Sequence, residues 1–281
     1  MCYNRTVNDN FLSFGDFMGV LVNGIKEFFG FGGYKRTPEG AYSWQHILFV
    51  SIMLVAMLVL AIWLGVSRRK RNYEQKNKVL IWAAILIDSF EIFKIIMGCA
   101  VSGDPMHWTI HLPLFLCSIQ LITIPLAAFG RGRLKAAALD FVLIFGILGG
   151  VLGTVGAAQN YNAYPVLSFD NMVSATTHCI SAFASLYIAI SGMTSMKKKN
   201  MPISFSILGF FCVAAFTVNK IINYNYMFLV RGDGTPYDIL YNLVGGHPVF
   251  YPLCVVLLFV IYMSAFYGIY LLCSRKEKSK A

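Results

Sequence analysis

A histidine, a proline and a cysteine lie together in one apolar stretch of the chain, HLPLFLC, from His111 to Cys117. Reactive side chains inside apolar segments usually face a protein interior or a wet cavity, so they are candidates for function. A thiol among apolar groups is inert unless a neighbour favours the thiolate. His178, in another apolar stretch, is a candidate neighbour, because an imidazole can accept a proton near neutral pH. The pair predicts a cysteine nucleophile with His178 as its general base.

Acyl transfer is the reaction that this pair is suited to perform. Attack on a lipid acyl ester would give an acyl-thioester, and a second hydroxyl or, in a hydrolase, water would release the acyl chain. The developing oxyanion needs hydrogen-bond donors. Gln120 lies three residues after the thiol, and Asn219 and Asn223 could reach from a later segment. Glu91 could orient His178 as a third member of the site.

Each of these polar residues also has a structural interpretation. Glu91 and Lys94 are three residues apart and can neutralise each other as an intrahelical pair, or they can contact the substrate. His178 shares a helical face with serines, which suits a packing seam between helices. A serine at position 178 would be sufficient for packing, so the presence of a histidine there favours a catalytic role. His111 is expected near the outer mouth of the site, where it serves access or a structural hydrogen bond.

Other kinds of site are not indicated. The chain has five histidines, and the HxxxxxC spacing is not that of zinc ligands. We therefore expect neither a metal centre nor a cofactor. Seven cysteines without a CxxC motif predict free thiols. Two interleaved GxxxG patterns predict close helix packing, and no strand precedes them as in a phosphate-binding loop. Their glycines are Gly146, Gly149, Gly150 and Gly153.

The elements that must position these residues are predicted to be membrane spans. The 281 residues are 57% hydrophobic and only 13% charged, with a mean hydropathy of +0.64, whereas soluble domains carry about 25% charged residues. A span needs about 20 mostly apolar residues. The fold class predicted is all-α, a polytopic bundle of seven transmembrane helices. We place the spans at residues 45–66, 79–100, 109–129, 134–155, 172–193, 203–224 and 249–273.

The remaining chain divides into a segment before the membrane domain and a tail after it. Residues 1–44 are predicted to be an extracytoplasmic segment with an amphipathic helix in the membrane interface, because apolar residues recur there at three- and four-residue steps. A short additional span is the alternative. Residues 45–273 form the seven-helix membrane domain, and residues 274–281 form a basic cytoplasmic tail. The apolar residues of the amphipathic pattern are Phe11, Phe14, Met18, Leu21, Val22, Ile25, Phe28 and Phe29.

Basic residues alternate between the loops. The net charge is +10, but Lys and Arg concentrate in the first, third and fifth loops and in the tail. The second and fourth loops have none, and the sixth has only Arg231. The positive-inside rule then predicts a multi-pass protein of the cell membrane, with its amino terminus outside and its carboxyl terminus in the cytoplasm. This distribution argues against a nucleic-acid partner.

This topology converts position along each span into depth. With a rise of 1.5 Å per residue, Cys117 and His178 lie roughly 12 and 9 Å below the outer boundary. Glu91 and Lys94 lie roughly 14 and 9 Å from it, and the asparagines of span six lie in the outer third. Separate pieces of sequence thus deliver polar groups to one layer. We expect a polar chamber that opens toward the outer leaflet.

Three stretches carry a resemblance to a known family. HLPLFLCSI, TTHCISAFASLYIAI and NYNYMFLVRGDGTPYDIL resemble the YwaF-like integral membrane family, whose eukaryotic branch is the transmembrane-protein-164 acyltransferases. The similarity covers most of residues 45–273. It implies a membrane-embedded cysteine acyltransferase that moves a fatty acyl chain between a phospholipid and a lysophospholipid.

The resemblance also implies roles for particular residues. The reactive thiol of the family falls on Cys117 and its span-five histidine on His178. Asn225 and Tyr226 belong to the third stretch and are taken as supporting residues. The chain departs from the bacterial LPLHLC pattern, in which a histidine stands where this chain has Phe115.

Two other classes of function compete with the enzyme. A non-enzymatic lipid or solute carrier could use the same chamber as a binding site, although seven spans do not divide into two inverted repeats. A seven-helix receptor or photoreceptor is the third possibility. The intramembrane Lys220 lies in span six and not in the last span, which disfavours a retinal Schiff base.

Overall fold

Helices make up all of the regular structure in the part of the chain that is described. The computed structural model describes residues 14–194 and 196–278, and the all-α prediction is confirmed there. Phe11 and residues 279–281 of the tail lie outside the described residues. The α-helices are α1 (Phe14–Phe29), α2 (Trp44–Arg68), α3 (Tyr73–Ser102), α4 (Gln120–Phe129), α5 (Gly132–Val155), α6 (Ala158–Ala163), α7 (Phe169–Ser191), α8 (Met201–Ile222), α9 (Tyr237–Leu243) and α10 (Phe250–Lys278). Short 3-10 helices occupy His107–His111, Lys198–Asn200 and Tyr226–Phe228.

Five helical stretches within the described residues are long and apolar enough to cross a membrane, so the chain is a multi-pass helical membrane protein. They contain α2, α5, α7, α8 and α10. Helix α3 is longer still, at 30 residues, but it carries Asp88, Glu91 and Lys94 and is not among the five.

The predicted continuous helix over residues 109–129 is wrong in its first half. A 3-10 helix ends at His111, irregular chain follows, and α4 begins only at Gln120. Pro113 accounts for the break because it lacks an N–H and disfavours helical geometry in the residue before it. That residue, Leu112, has φ −59° and ψ 144°. Cys117 therefore lies in a turn instead of on a regular helix.

Helices α5 and α7 form the centre of the bundle and pack closely, with α2, α3 and α4 against them. Glycines make this approach possible. A Cβ atom on Gly146 would lie 2.8 Å from the backbone oxygen of Ser181, and one on Gly150 would lie 2.4 Å from the Cβ atom of Ala182. The packing role predicted for the glycines is seen in this seam.

One end of the bundle gathers the basic loops. Lys135 donates from Nζ to Oδ1 of Asn77 at 2.9 Å, which joins the start of α5 to the start of α3. The Arg133 guanidinium donates to the backbone oxygen of Lys199 in the loop before α8. Loops that are far apart in sequence thus share this end, which we call the basic end.

The buried carboxylate of Asp140 fastens three pieces of chain near the basic end. It is fully buried and accepts hydrogen bonds from the Thr194 hydroxyl, the Asn200 amide at 3.0 Å and the Tyr267 hydroxyl at 3.0 Å. These partners lie in the loop after α7, in the turn before α8 and on α10. Asp140 is therefore part of the bundle's framework.

The N-terminal segment lies against the opposite end. Residues 30–43, here called the strap, run between α1 and α2. The Tyr34 hydroxyl donates to Oδ2 of Asp170 at 2.7 Å. Glu39 accepts a hydrogen bond from the Val166 N–H at 2.8 Å. These contacts join the strap to the start of α7, and we call this the strap end.

Contacts at the strap end and at the basic end show which elements extend from one end of the bundle to the other. Helix α2 begins at the strap end, where His46 Nε2 lies 3.4 Å from the backbone oxygen of Thr154 at the end of α5. Helix α8 starts at the basic end, so the chain that follows it lies at the strap end. The 107–129 segment begins there too, because the hydroxyl of Tyr226, just after α8, donates to the backbone oxygen of Thr109. It finishes at the basic end, where the Ala128 carbonyl accepts a hydrogen bond from Lys135 at 2.8 Å.

Helix α1 covers residues of the predicted amphipathic segment and leaves apolar side chains exposed. Its end is held by aromatic contacts, with the Phe29 ring 5.0 Å from that of Phe169 and 6.1 Å from that of Phe93. Its location in the membrane interface stays a prediction. The exposed apolar residues are Phe17, Met18, Val20, Leu21, Val22, Ile25 and Phe28.

A candidate active site at the cysteine turn

A cavity of about 390 Å³ lies between α3, the cysteine turn and α7, toward the strap end. Its volume is in the range of ordinary small-molecule sites. Five of the residues predicted for the site line it, and they come from three separate stretches of sequence. They are Glu91, Lys94, His111, Cys117 and His178.

The cysteine turn presents its thiol together with free backbone donors. Cys117 is half-buried and lies three residues before the start of α4. The backbone N–H groups of Cys117 and Ser118 both belong to this turn. Neither N–H donates to a carbonyl within residues 14–194 and 196–278. In a continuous helix both would bond the carbonyl one turn earlier, so the break at Pro113 leaves them available.

The His178 imidazole lies on the same face of α5 as the cysteine turn. A Cβ atom on Gly153 would be 2.3 to 2.6 Å from the His178 ring atoms, and one on Gly149 would be 3.2 Å from Cα and Cβ of Cys117. Gly149 and Gly153 are four residues apart and thus lie on one helix face. The turn and the imidazole therefore pack against neighbouring turns of α5. Both side chains line the cavity.

The His178 imidazole has no hydrogen-bond partner among the described residues, and the residue is half-buried. Its ring nitrogens are therefore not engaged by another side chain, and one can accept a proton. The rest of this face of α7 packs against α5, where the Ser185 hydroxyl donates to the backbone oxygen of Leu143 at 2.7 Å. The α7 residues that pack against α5 and the candidate base therefore lie on the same helix. His178 is at the end of this contact, where α7 lines the cavity.

Glu91 and Lys94 form a pair across one wall of the cavity. Oε1 of Glu91 lies 4.0 Å from Nζ of Lys94, and both side chains are largely buried. The Lys94 ammonium acts electrostatically on Cys117, His111 and His178. Glu91 makes no hydrogen bond to His178 within the described residues. The intrahelical pairing that the sequence allowed is therefore the arrangement found.

Two histidines from the 3-10 helix complete this wall. The rings of His107 and His111 have centroids 5.1 Å apart, and both line the cavity. Gly98 of α3 gives them room, because a Cβ atom there would lie 2.9 Å from Cδ2 of His107 and 3.8 Å from Nε2 of His111.

Gln120 and Asn219 lie off the cavity. Gln120 is fully buried, and its Oε1 accepts a hydrogen bond from the Thr123 hydroxyl at 3.1 Å. Its amide nitrogen has no partner among the described residues. Asn219 is 3% exposed and binds the backbone of Tyr226 through both ends of its amide, at 2.7 and 2.9 Å. Neither amide is turned toward the thiol's cavity.

The other three residues of the predicted supporting set belong to the chain after α8. Asn223 ends that helix in a left-handed conformation, with φ 54°, and is exposed. Asn225 accepts the Val230 N–H at 2.9 Å and donates to Asp233 at 2.8 Å, which closes a loop. The Tyr226 hydroxyl, besides its bond to Thr109, accepts the Leu112 N–H at 3.2 Å. Tyr226 thereby holds the chain that leads into the cysteine turn.

The strap closes over the mouth of the cavity at Tyr164 and Asp170, which both line it. The Tyr34 and Tyr164 rings meet edge to face at 5.6 Å. Burial and the hydrogen bond to Asp170 raise the pKa of Tyr34, so it stays a neutral donor at physiological pH. Burial and the Asp170 charge also raise the pKa of Tyr164.

Sequence reasoning missed several residues of the cavity. His107 had a signal, because it precedes His111 by four residues and so shares its side of a helical turn. Asn160, Tyr164 and Asp170 had none, because they belong to a loop and a helix start that only the folded chain brings over the site. Within the described residues, no three His, Cys, Asp or Glu side chains form a group suited to a metal ion.

Comparison with known proteins gives one match. A family model described as the TMEM164 family matches residues 41–267, which include every cavity residue named above. None of the curated proteins and none of the solved structures compared with the chain matches it.

Proposed function

This chain belongs to the TMEM164 family, and on that premise we propose that it is a membrane-embedded cysteine acyltransferase. It would move a fatty acyl chain from a phospholipid to a lysophospholipid through a thioester on Cys117. The observation that carries the proposal is that Cys117, Ser118 and His178 line one cavity. Among the described residues, the Cys117 and Ser118 N–H groups donate to no carbonyl, and the His178 imidazole has no hydrogen-bond partner. These are the parts that nucleophilic acyl transfer requires.

In the first half-reaction the thiol is acylated. His178 takes the proton from Cys117, and the sulfur attacks the carbonyl carbon of a phospholipid ester. The N–H groups of Cys117 and Ser118 stabilise the oxyanion of the tetrahedral intermediate. The intermediate collapses, the carbon–oxygen bond to glycerol breaks, and the leaving alkoxide takes the proton from His178. A lysophospholipid departs and the thioester remains.

The second half-reaction runs the same steps with an acceptor. His178 takes the proton from the free hydroxyl of another lysophospholipid, and the alkoxide oxygen attacks the thioester carbonyl. The carbon–sulfur bond breaks, and the thiolate of Cys117 recovers the proton from His178. The products are a phospholipid and the original enzyme. No metal or redox cofactor enters this sequence of steps.

The membrane arrangement that goes with this function has seven crossings. We infer that α3 and the 107–129 segment cross alongside the five long apolar helices, since contacts place their ends at opposite ends of the bundle. The basic end would face the cytoplasm and the strap end the outside. Polar and irregular backbone at membrane depth is tolerated where it lines a cavity, as the cysteine turn does.

A covalent-labelling experiment tests the proposal. The purified protein is incubated with an alkyne-tagged phospholipid, and the adduct is detected with and without hydroxylamine, which cleaves thioesters. We expect a hydroxylamine-sensitive adduct that disappears in Cys117→Ser. In His178→Ala its rate of formation should fall by at least ~10²-fold, the usual loss for a general base.

Cys254→Ser is the matched control, because Cys254 is half-buried on α10 and does not line the cavity. Its labelling should equal that of the unchanged protein. A lipid carrier would bind the probe in all variants without a covalent product, and that result would overturn the proposal. A loss smaller than ~10²-fold in His178→Ala would return His178 to a packing role.

A further inference from the structure

One wall of the cavity carries three nitrogen-bearing side chains that the acyl-transfer steps do not use. Lys94 comes from α3, while His107 and His111 come from the 3-10 helix that packs on it. The two imidazoles lie side by side at 5.1 Å, over Gly98. A side chain at position 98 would displace the His107 ring, so the glycine allows that ring to pack directly on α3 beside His111.

These nitrogen atoms are free to bind a ligand. Neither the His107 nor the His111 imidazole has a hydrogen-bond partner among residues 14–194 and 196–278. Lys94 has one charged neighbour there, Glu91, at 4.0 Å. That distance exceeds the length of a direct hydrogen bond, so the N–H donors of the Lys94 ammonium are not used by Glu91 and can bind a ligand. Buried donors normally find partners, and here the cavity is where a partner would lie.

We propose that Lys94, His107 and His111 form a subsite for the phosphate group of the lipid substrate. This inference rests on the proposed function and deepens it. Phosphate oxygens are strong acceptors that bind several N–H donors at once, and charge-assisted bonds of this kind are the strong ones. Lys94 supplies a full positive charge, and the two imidazoles supply ring N–H donors.

The position of the subsite relative to Cys117 suits a glycerophospholipid. In such a lipid the phosphate and the acyl esters are carried by one glycerol unit, so their sites must share a cavity. His111 and Cys117 stand at the two ends of one irregular stretch, and both face the same 390 Å³ space. With the phosphate held at one end, an ester carbonyl is presented to the thiol at the other. Besides Glu91, the cavity is lined by the carboxylate of Asp170. The Tyr34 hydroxyl donates a hydrogen bond to Asp170, which reduces the repulsion between this carboxylate and a bound phosphate.

Lipid binding without turnover tests this subsite. The full-length Cys117→Ser protein is titrated with NBD-labelled phosphatidylmethanol and, separately, with NBD-labelled diacylglycerol of the same acyl chains. We expect tighter binding of the phosphate-bearing probe. The added double change His107→Ala and His111→Ala should weaken that binding by at least about tenfold, equivalent to about 1.4 kcal/mol. It should leave diacylglycerol binding unchanged.

Matched variants distinguish a loss of phosphate binding from a general disruption of the fold. Lys94→Met should weaken binding of the phosphate probe, whereas Lys220→Met should not, because Lys220 is exposed and off the cavity. Replacement of both histidines by glutamine keeps an N–H donor at each position and should restore part of the affinity. Equal loss for both probes, or for neither, would overturn the subsite. Displacement of the lipid by inorganic phosphate at the same concentration would assign the site to free phosphate instead.

The binding assay can fail or succeed independently of the acyl-transfer proposal. It uses a protein without the reactive thiol, so its result does not depend on thioester formation. Absence of an adduct in the unchanged protein would refute the enzyme, whereas equal binding of the two probes by Cys117→Ser would refute only the subsite.

Discussion

At the scale of single residues, Gly153 determines where the His178 imidazole can lie. An added Cβ atom would come within 2.3 to 2.6 Å of three His178 ring atoms, which no real contact allows. We expect Gly153→Ala to displace the ring and to slow formation of the Cys117 adduct by roughly 10²-fold, the cost of a misplacement near 1 Å. The measurement is the rate of labelling by the alkyne-tagged phospholipid.

Gly209→Ala is the control for this substitution. Gly209 lies in α8, and an added Cβ atom there meets nothing within 4 Å. Alanine should therefore leave labelling unchanged and stabilise the helix by about 0.5 to 1 kcal/mol. If Gly153→Ala also labels at the normal rate, the imidazole is not held where the proposed mechanism needs it.

The sequence was sufficient to predict those cavity residues for which depth in the membrane was the only information needed. Cys117, His178, Glu91 and Lys94 were expected in one layer because position along a span gives depth directly. Gln120 was expected on the face of the thiol, and this failed because the chain is not helical between the two. The direction in which a side chain points depends on its angular position around the helix. A single break in the helix changes that angle for every residue after it.

At the scale of elements, the strap is held to the start of α7 by groups that respond to pH. Burial opposes ionisation of Glu39, but the hydrogen bond from the Val166 N–H and the nearby Arg36 charge outweigh it. The pKa of Glu39 is therefore below its usual range. A carboxylate with a lowered pKa stabilises the docked state above the ordinary Glu pKa, and this stabilisation is lost as pH falls through the lowered value.

We expect Glu39→Gln to loosen the strap at neutral pH. A hydrogen bond to a charged acceptor is worth about 1 kcal/mol more than one to a neutral acceptor, so the protection of the Val166 amide from hydrogen exchange should fall about fivefold. In the unchanged protein the protection factor should fall in acid, once Glu39 protonates. Glu74→Gln, at an exposed position in the first turn of α3, should alter neither value. Unchanged protection in Glu39→Gln would show that the other strap contacts suffice.

The irregular 107–119 stretch shows which element boundaries a sequence can reveal. Pro113 was a visible signal for a bend, and the extended geometry of Leu112 follows from it directly. The contacts that stabilise the broken shape were not visible. Tyr226 reaches it from a loop more than a hundred residues later, and such pairings depend on the tertiary fold.

At the scale of the whole molecule, the two ends of the bundle should face opposite sides of the membrane. Lys70 lies at the basic end and Asp104 beyond the other end of α3, and both are exposed. In intact cells, a membrane-impermeant maleimide should label Asp104→Cys, but Lys70→Cys only after permeabilisation. The unsubstituted protein gives the background from native thiols. Labelling of both positions from one side would show that α3 does not cross.

The break before α4 has a consequence for what happens to a bound acyl group. The N–H groups of Cys117 and Ser118 exist as donors only because the helix is interrupted. At membrane depth such groups must be satisfied by protein or by solvent, and the cavity beside them carries ionic side chains. We therefore expect water to occupy the pocket between substrates. For the proposed thioester on Cys117, hydrolysis would then compete with transfer, and the supply of acceptor lipid would set the fraction of acyl chains that is transferred.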